Sequence, residues 1–299
     1  GRCHPPRGGF RCHHGAMSST VSARPLSKET ISKDTLVCMS LSGRPGNAGT
    51  RFHNFLYDEL GLDYLYKAFT TTDIAAAVAG IRALGIRGCA VSMPWKEDVI
   101  PLVDEMDPSA AAIESVNTIV NDAGHLTAYN TDYTALRLLL RDHEVDTGLP
   151  AAVLGSGGMA KAAVAAVRDQ GFDQITVVAR NPATGPALAA KYGAAHAPEL
   201  GDLRPGLILN ATPFGMAGGP DADRIPVPDE AIAAAAVVFD VVHLPAETPL
   251  VRRARELGRA VIHGGEVAAL QAAEQFTLYT GVALSPDQIA RARAFSQSQ

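Results

Sequence analysis

Downstream of residue 34, short apolar runs alternate with segments whose apolar positions recur every three to four residues. TLVCMS (35–40), YLYKAF (64–69) and RGCAVS (87–92) predict strands, and the segments 52–60 and 73–84 between them predict helices. Such alternation predicts a mostly parallel sheet covered by helices, with ligands at the carboxyl ends of its strands. HLTAYN (125–130) reads as one more strand-like run. A second series begins at AAVLG (151–155) and continues through ITVVAR (175–180), LILNAT (207–212) and VVFDVV (237–242). The fold class is therefore α/β, with two units in succession. Between them, residues 131–143 carry Tyr133, Leu136, Leu139 and Leu140 on one helix face, suited to a bridge. Helical patterns over 266–279 and 286–295 follow, the latter with Ser285 as N-cap and Pro286 in the first turn.

A length of 299 residues fits about two domains at roughly 150 residues each. Twenty-six Lys and Arg against thirty-one Asp and Glu give a net charge of -5, with no basic block to follow a phosphate backbone, which argues against a nucleic-acid partner. Hydrophobic residues make up 47% of the chain, yet the longest apolar run, 231–239, is far below the roughly 18 residues that cross a bilayer. No membrane partner is expected. Of the four cysteines, Cys38 and Cys89 lie in apolar segments and read as reduced core thiols, so the expected compartment is the cytoplasm. Residues 1–16 have no apolar core of a secretion signal, and Met17 reads as a natural start. The spacing of Cys3, Cys12, His13 and His14 matches no zinc-finger pattern, so no metal is expected and 1–34 reads as a leader, disordered or added in cloning.

The strongest local signal is LGSGGMAKA, where Gly155, Gly157 and Ala160 fit G-x-G-x-x-A after a strand and at the start of a helix. In that context glycines let backbone N–H groups approach a pyrophosphate at a helix N-terminus. Gly155, Ser156, Gly157, Gly158, Met159 and Ala160 are the expected cofactor contacts, against the alternative of a tight turn with no ligand. The next strand ends in Ala179, Arg180 and Asn181, without the carboxylate that binds the ribose of NAD. Arg180 suits a 2′-phosphate, so NADP is favoured over NAD. Lys96, in VSMPWKED, follows a strand end and a proline; Asp132 follows the strand-like HLTAYN, where it also fits a helix N-cap; Asn117 ends another segment. Singly, each fits a structural role. Converging on one cleft, the lysine and aspartate would move a proton at a substrate hydroxyl while the cofactor takes the hydride.

VSMPWKE, ESVNT, AYNTD, GSGGMA, NATPFGM, FDVVHLPAETP and GGEVAALQAAEQF follow, in order, the motifs of shikimate dehydrogenases. The chain resembles that family, and SLSGRPGNAGTRFHN with LGIRGCAVSMP resembles its shikimate dehydrogenase-like branch. The resemblance implies a substrate domain (35–130 with 264–299), a Rossmann-type, doubly wound NADP-binding domain (131–263) and a cleft between them. It implies reversible reduction of 3-dehydroshikimate with NADPH, in aromatic amino acid biosynthesis, by a monomer or homodimer. It further implies that Lys96 and Asp132 are the catalytic pair, that Asn117 and Gln271 hold substrate hydroxyls, that Thr131 joins the substrate contacts and orients the aspartate, and that Thr212 joins the cofactor contacts.

The chain also departs from the family. Where two serines hold the substrate carboxylate in the family, alignment on His53 and Asn54 puts Asn47 and Gly49, so Asn47 is the one side-chain donor expected there. His243 replaces a usual tyrosine, and Thr184 stands where the NADP clamp has a second basic residue. The expectation is an NADP-dependent oxidoreductase for shikimate, quinate or a related ring acid, such as an amino or deoxy analogue, with weak activity on shikimate itself. The alternative is a nucleotide- or metabolite-binding regulator on the same scaffold.

Overall fold

The computed structural model describes residues 30–298, so Cys3, Cys12, His13, His14 and most of the expected leader lie outside the described residues. The first sheet contains β1 (Leu36–Leu41), β2 (Tyr64–Phe69), β3 (Gly88–Val91), β4 (Glu105–Met106), β5 (Thr118–Asp122) and β6 (His125–Tyr129), in the order β2-β1-β3-β5-β6-β4. Helices α1 (Ala48–Leu60), α2 (Ile74–Ala83), the short α3 (Pro108–Ala111) and α4 (Thr131–Asp142) belong to the same stretch of chain. The second sheet contains β7 (Ala151–Leu154), β8 (Ile175–Val178), β9 (Ala195–Ala197), β10 (Leu207–Asn210), β11 (Val237–Asp240) and β12 (Ala260–His263). Its order is β12-β11-β10-β7-β8-β9, every pair is parallel, and the order reverses beside β7, as in a doubly wound nucleotide-binding fold. Helices α5 (Gly158–Asp169), α6 (Thr184–Tyr192), α7 (Asp229–Ala234), α8 (Pro249–Glu256), α9 (Gly264–Thr280) and α10 (Pro286–Gln297) complete the chain.

The first sheet keeps the mostly parallel arrangement expected from strand–helix alternation and is mixed only through one reversed strand, β5. β1 runs parallel to β2 and β3, whereas β5 is antiparallel to both β3 and β6. The reversal is local: Asp122 pairs with His125, leaving Ala123 (φ 53) and Gly124 (φ 95) as a two-residue loop with two left-handed residues. That conformation matches the twist of adjacent strands and forms a tight hairpin. Asn121 stabilises it, its Oδ1 accepting from the Gly124 N–H at 2.7 Å.

Packing explains why the last two helices return to the first sheet. Phe276 and Tyr279 of α9 and Ala292 of α10 share a core with Phe52, Leu56 and Tyr57 of α1 and with Tyr66 of β2. Tyr279 lies flat on Gly88, where a Cβ would come within 2.2 Å of the ring, so glycine is required there to admit the aromatic. Val267, near the start of α9, instead packs in the core of the second sheet beside Leu136 and Leu140 of α4. Helices α4 and α9 thus lie against each other where the two sheets meet. Cys38 and Cys89 are buried and unbridged, and burial pushes the Cys38 thiol up to about 12. Among the described residues, no helix is long and apolar enough to cross a membrane.

Candidate active site

A cavity of about 560 Å³ opens between the two sheets, bounded by the end of β1, the loop after β3, the start of α4 and one face of α9. The Lys96 carbonyl accepts from Val116 N–H at 2.8 Å, which ties its loop to the segment before β5. Asp132 is the second residue of α4. The N-cap of that helix is Asn130, whose side chain accepts from Tyr133 N–H, so the Asp132 carboxylate is left to face the cavity. There Lys96 Nζ donates to Asp132 Oδ2 at 2.9 Å, the two side chains being 26% and 14% exposed.

A buried polar network backs this pair. Asn117 Oδ1 accepts from Thr131 N–H and from Thr118 Oγ1, both at 2.8 Å, and its Nδ2 donates to Thr131 Oγ1 at 2.9 Å. Both acceptor lone pairs are used, which leaves one amide N–H for the cavity that Asn117 lines. Thr131 Oγ1 donates in turn to Gln271 Oε1 at 3.3 Å, turning the Gln271 amide N–H groups away from Thr131. Gln275, which the sequence reading missed, donates to Thr118 Oγ1 at 2.9 Å and also lines the cavity. Its place one helical turn after Gln271 on α9 was the available signal. His243 lines the cavity as well; burial, and secondarily the Arg293 guanidinium, lower its pKa, which favours the neutral imidazole.

Two expected substrate contacts are displaced. Asn47 is the N-cap of α1 and is not among the cavity-lining residues, although its neighbours Gly46, Ala48 and Gly49 are. Thr131 is buried behind Asn117 and Gln271 and does not line the cavity. Hydroxyls reach the cavity from other positions, at Ser40, Ser42 and Ser92.

A second cavity, about 540 Å³, lies at the carboxyl ends of β7, β8 and β10 and is lined by Gly155, Ser156, Arg180 and Thr212. Gly155 has φ 109, and a Cβ there would sit 3.1 Å from the Ala211 carbonyl oxygen, so the turn requires glycine. At Gly157, the N-cap of α5, and at Gly158, its first residue, a Cβ would meet nothing within 4 Å, so a dinucleotide's phosphates have room to approach. These residues fit the group. Ala160 differs from the expectation of a contact: it is fully buried and lets α5 pack closely on its sheet. Met159 lines the first cavity rather than the second. Arg180 and Arg224 both approach the Phe214 ring, at 6.0 and 5.1 Å from its centroid. Arg224 was missed because it lies in the long connection between β10 and α7, where no periodicity marks it. Thr184 contributes a hydroxyl 2.7 Å from Ser156 Oγ. Across the cleft, Lys161 of α5 pairs at 3.1 Å with Glu97, the neighbour of Lys96.

A bilobal α/β scaffold with a Rossmann-type sheet and a Lys–Asp pair in the cleft defines a class of nucleotide-dependent oxidoreductases. Comparison with known proteins narrows the class. Residues 48–119 match the family model described as the shikimate dehydrogenase substrate binding domain. The chain is 52% identical over 269 residues to the shikimate dehydrogenase-like protein of Haemophilus influenzae, covering 90% of this chain and 99% of that one. A solved shikimate 5-dehydrogenase-like protein superposes with a TM-score of 0.88 at 53% identity, over 90% of this chain and all (100%) of the other. Shikimate 5-dehydrogenase of Thermus thermophilus, solved with NADP(H) and shikimate, gives a TM-score of 0.77 at 29% identity, over 87% and 99% of the two chains. The chain belongs to the shikimate dehydrogenase family, in its shikimate dehydrogenase-like branch, and is an oxidoreductase.

Proposed function

We propose that the protein is an NADP-dependent dehydrogenase acting on a ring hydroxyl of shikimate, quinate or a related polyhydroxylated ring acid. The observation that carries this reading is the Lys96–Asp132 pair, 2.9 Å apart in a cavity that also presents Gln271, Asn117 and His243. The nicotinamide cofactor supplies hydride transfer when bound. Gly155, Ser156, Thr212 and the open start of α5 would hold its phosphates, and Arg180 would select the 2′-phosphate. Arg224, which also approaches the Phe214 ring, supports that selection in place of the second basic residue absent at Thr184.

Lys96 and Asp132 manage the proton. A lysine ammonium beside a carboxylate can release a proton to a developing alkoxide and recover it through the pair, and the reverse reaction uses the same groups as the base. Gln271, oriented through Thr131, and the remaining Asn117 N–H hold neighbouring hydroxyls of the ring. A regulator that only bound metabolite would have no use for the proton-handling pair. Without the family's serine pair at Asn47 and Gly49, turnover of shikimate itself is expected to be weak compared with a housekeeping enzyme. The test is a panel of ring alcohols with NADP⁺ and NAD⁺, followed at the absorbance of reduced nicotinamide. Turnover with NADP⁺ preferred supports the reading; ligand binding without turnover of any member overturns it.

A further inference from the structure

Three charged side chains line the substrate cavity: Lys96, Asp132 and Arg44. Lys96 and Asp132 neutralise each other at 2.9 Å. Arg44 has no ion-pair partner among the described residues; its one hydrogen bond there is from its backbone N–H to Ser42 Oγ, at 3.0 Å. The exposed Arg44 therefore adds a positive charge with no ion pair to the residues that line the cavity. A guanidinium at a cleft mouth without a carboxylate partner can meet an anion entering that cleft, and its planar fork fits a carboxylate through two parallel hydrogen bonds.

The backbone leading into Arg44 is held against the loop after β3. Ser92 N–H donates to the Leu41 carbonyl at 2.9 Å and Gly43 N–H to the Met93 carbonyl at 3.0 Å, which laces the end of β1 to the loop after β3. Residue 43 lies against Pro94, where a Cβ would come within 3.3 Å of Cδ. The other residues that line this part of the cavity are hydroxylic or small: Ser42 and Ser92 carry hydroxyls, and Gly46 and Gly49 carry no side chain. No acidic side chain other than Asp132 lines this cavity to compete for the cation.

We infer that Arg44 is the carboxylate anchor of this cavity in the absence of a hydroxyl pair at Asn47 and Gly49, and that it favours a ring acid whose carboxylate is placed differently from that of shikimate. This inference rests on the dehydrogenase reading and adds to it where the acid group sits. The preferred acid is one whose carboxylate reaches residues 42–44 while a ring hydroxyl reaches Lys96 and Asp132. Arg44 is a specificity residue, acting on binding of the acid and not on the proton step.

The test compares shikimate and quinate with their methyl esters, in wild type and in Arg44→Met and Arg44→Lys, by steady-state kinetics with NADP⁺ and by calorimetric titration. Arg44→Met should lower kcat/KM for the acids about tenfold to hundredfold, chiefly through KM, the usual scale for losing hydrogen bonds to a charged group. The esters should be unaffected, and Arg44→Lys should retain part of the preference. An unchanged thermal unfolding midpoint in Arg44→Met shows that the fold is intact. An acid-to-ester ratio that is the same in wild type and Arg44→Met overturns the assignment while leaving the dehydrogenase reading in place. If no compound turns over, the dehydrogenase reading fails; calorimetry then decides for Arg44 if acid binding is lost in Arg44→Met, and against it if wild type binds none of the acids.

Discussion

The two halves of this protein build their sites in different ways. In the second half, the proposed phosphate site is a single turn from Gly155 to Gly158 with Arg180 at the adjacent strand end, so it follows from a parallel sheet and its switch point. In the first half, the cavity draws Arg44, Lys96, Asn117 and Asp132 from separate segments, and it borrows His243 and Gln271 from chain beyond most of the nucleotide-binding unit. Its sheet is mixed because a hairpin inserts β5 beside β3, and that hairpin brings Asn117 next to Thr131. Backbone N–H groups recognise a phosphate wherever the turn recurs, whereas recognition of a ring alcohol needs particular side chains at particular depths. The first can be local. The second has to be assembled.

Separating the halves by mutation gives the largest expected effects. Lys96→Ala or Asp132→Asn should lower kcat about a hundredfold to ten-thousandfold, the range for losing a positioned acid or base, with nucleotide affinity within twofold by fluorescence titration. Equal loss of nucleotide binding would mean that the two sites are not separable. The converse experiment is Arg180→Ala. It should weaken NADP about tenfold to hundredfold and leave NAD almost unchanged, since only the former offers a charged 2′-phosphate. Adding Arg224→Ala should deepen the NADP-specific loss, and equal losses for both cofactors would rule out a clamp on the 2′-phosphate.

A smaller effect probes the core under the substrate cavity. His53 is buried, stacked on Tyr66 at 4.4 Å, and burial lowers its pKa from 6.5 to about 3. The unfolded chain therefore binds a proton between those values that the folded chain refuses. His53 costs nothing above pH 6.5, and stability falls as pH drops from 6.5 towards 3, by at most about 1.4 kcal/mol per pH unit. In His53→Phe, denaturant midpoints measured from about pH 7 to about pH 4 should fall less steeply than in wild type; parallel curves would show that His53 is protonated in the folded state. The smallest effect is expected at Asn47. Because its side chain lies outside the cavity lining, Asn47→Ala should change kcat/KM by less than twofold. A tenfold loss would place the residue back among the substrate contacts.

By itself the sequence determined the two α/β units, the glycine turn after β7 and the candidacy of Lys96 and Asp132. Each of those signals is carried by neighbouring residues: apolar period, a turn that only glycine can make, a reactive side chain just past a strand end. It also contained the motif order of the family. Short elements such as β4 and β9, two and three residues long, left no readable period. The early start of α1 was hidden because Ala48 and Gly49 carry no amphipathic pattern, and the place of Asn47 off the cavity lining was not legible either. Convergence was decided only in three dimensions. Asn130 takes the N-cap of α4 and so frees Asp132, Thr131 turns inward to hold Gln271, and Arg44 and Arg224 enter their cavities from loops with no periodicity. The reason is physical: a loop side chain acquires its neighbours from the packing of distant segments, and local sequence carries no record of which segments those will be.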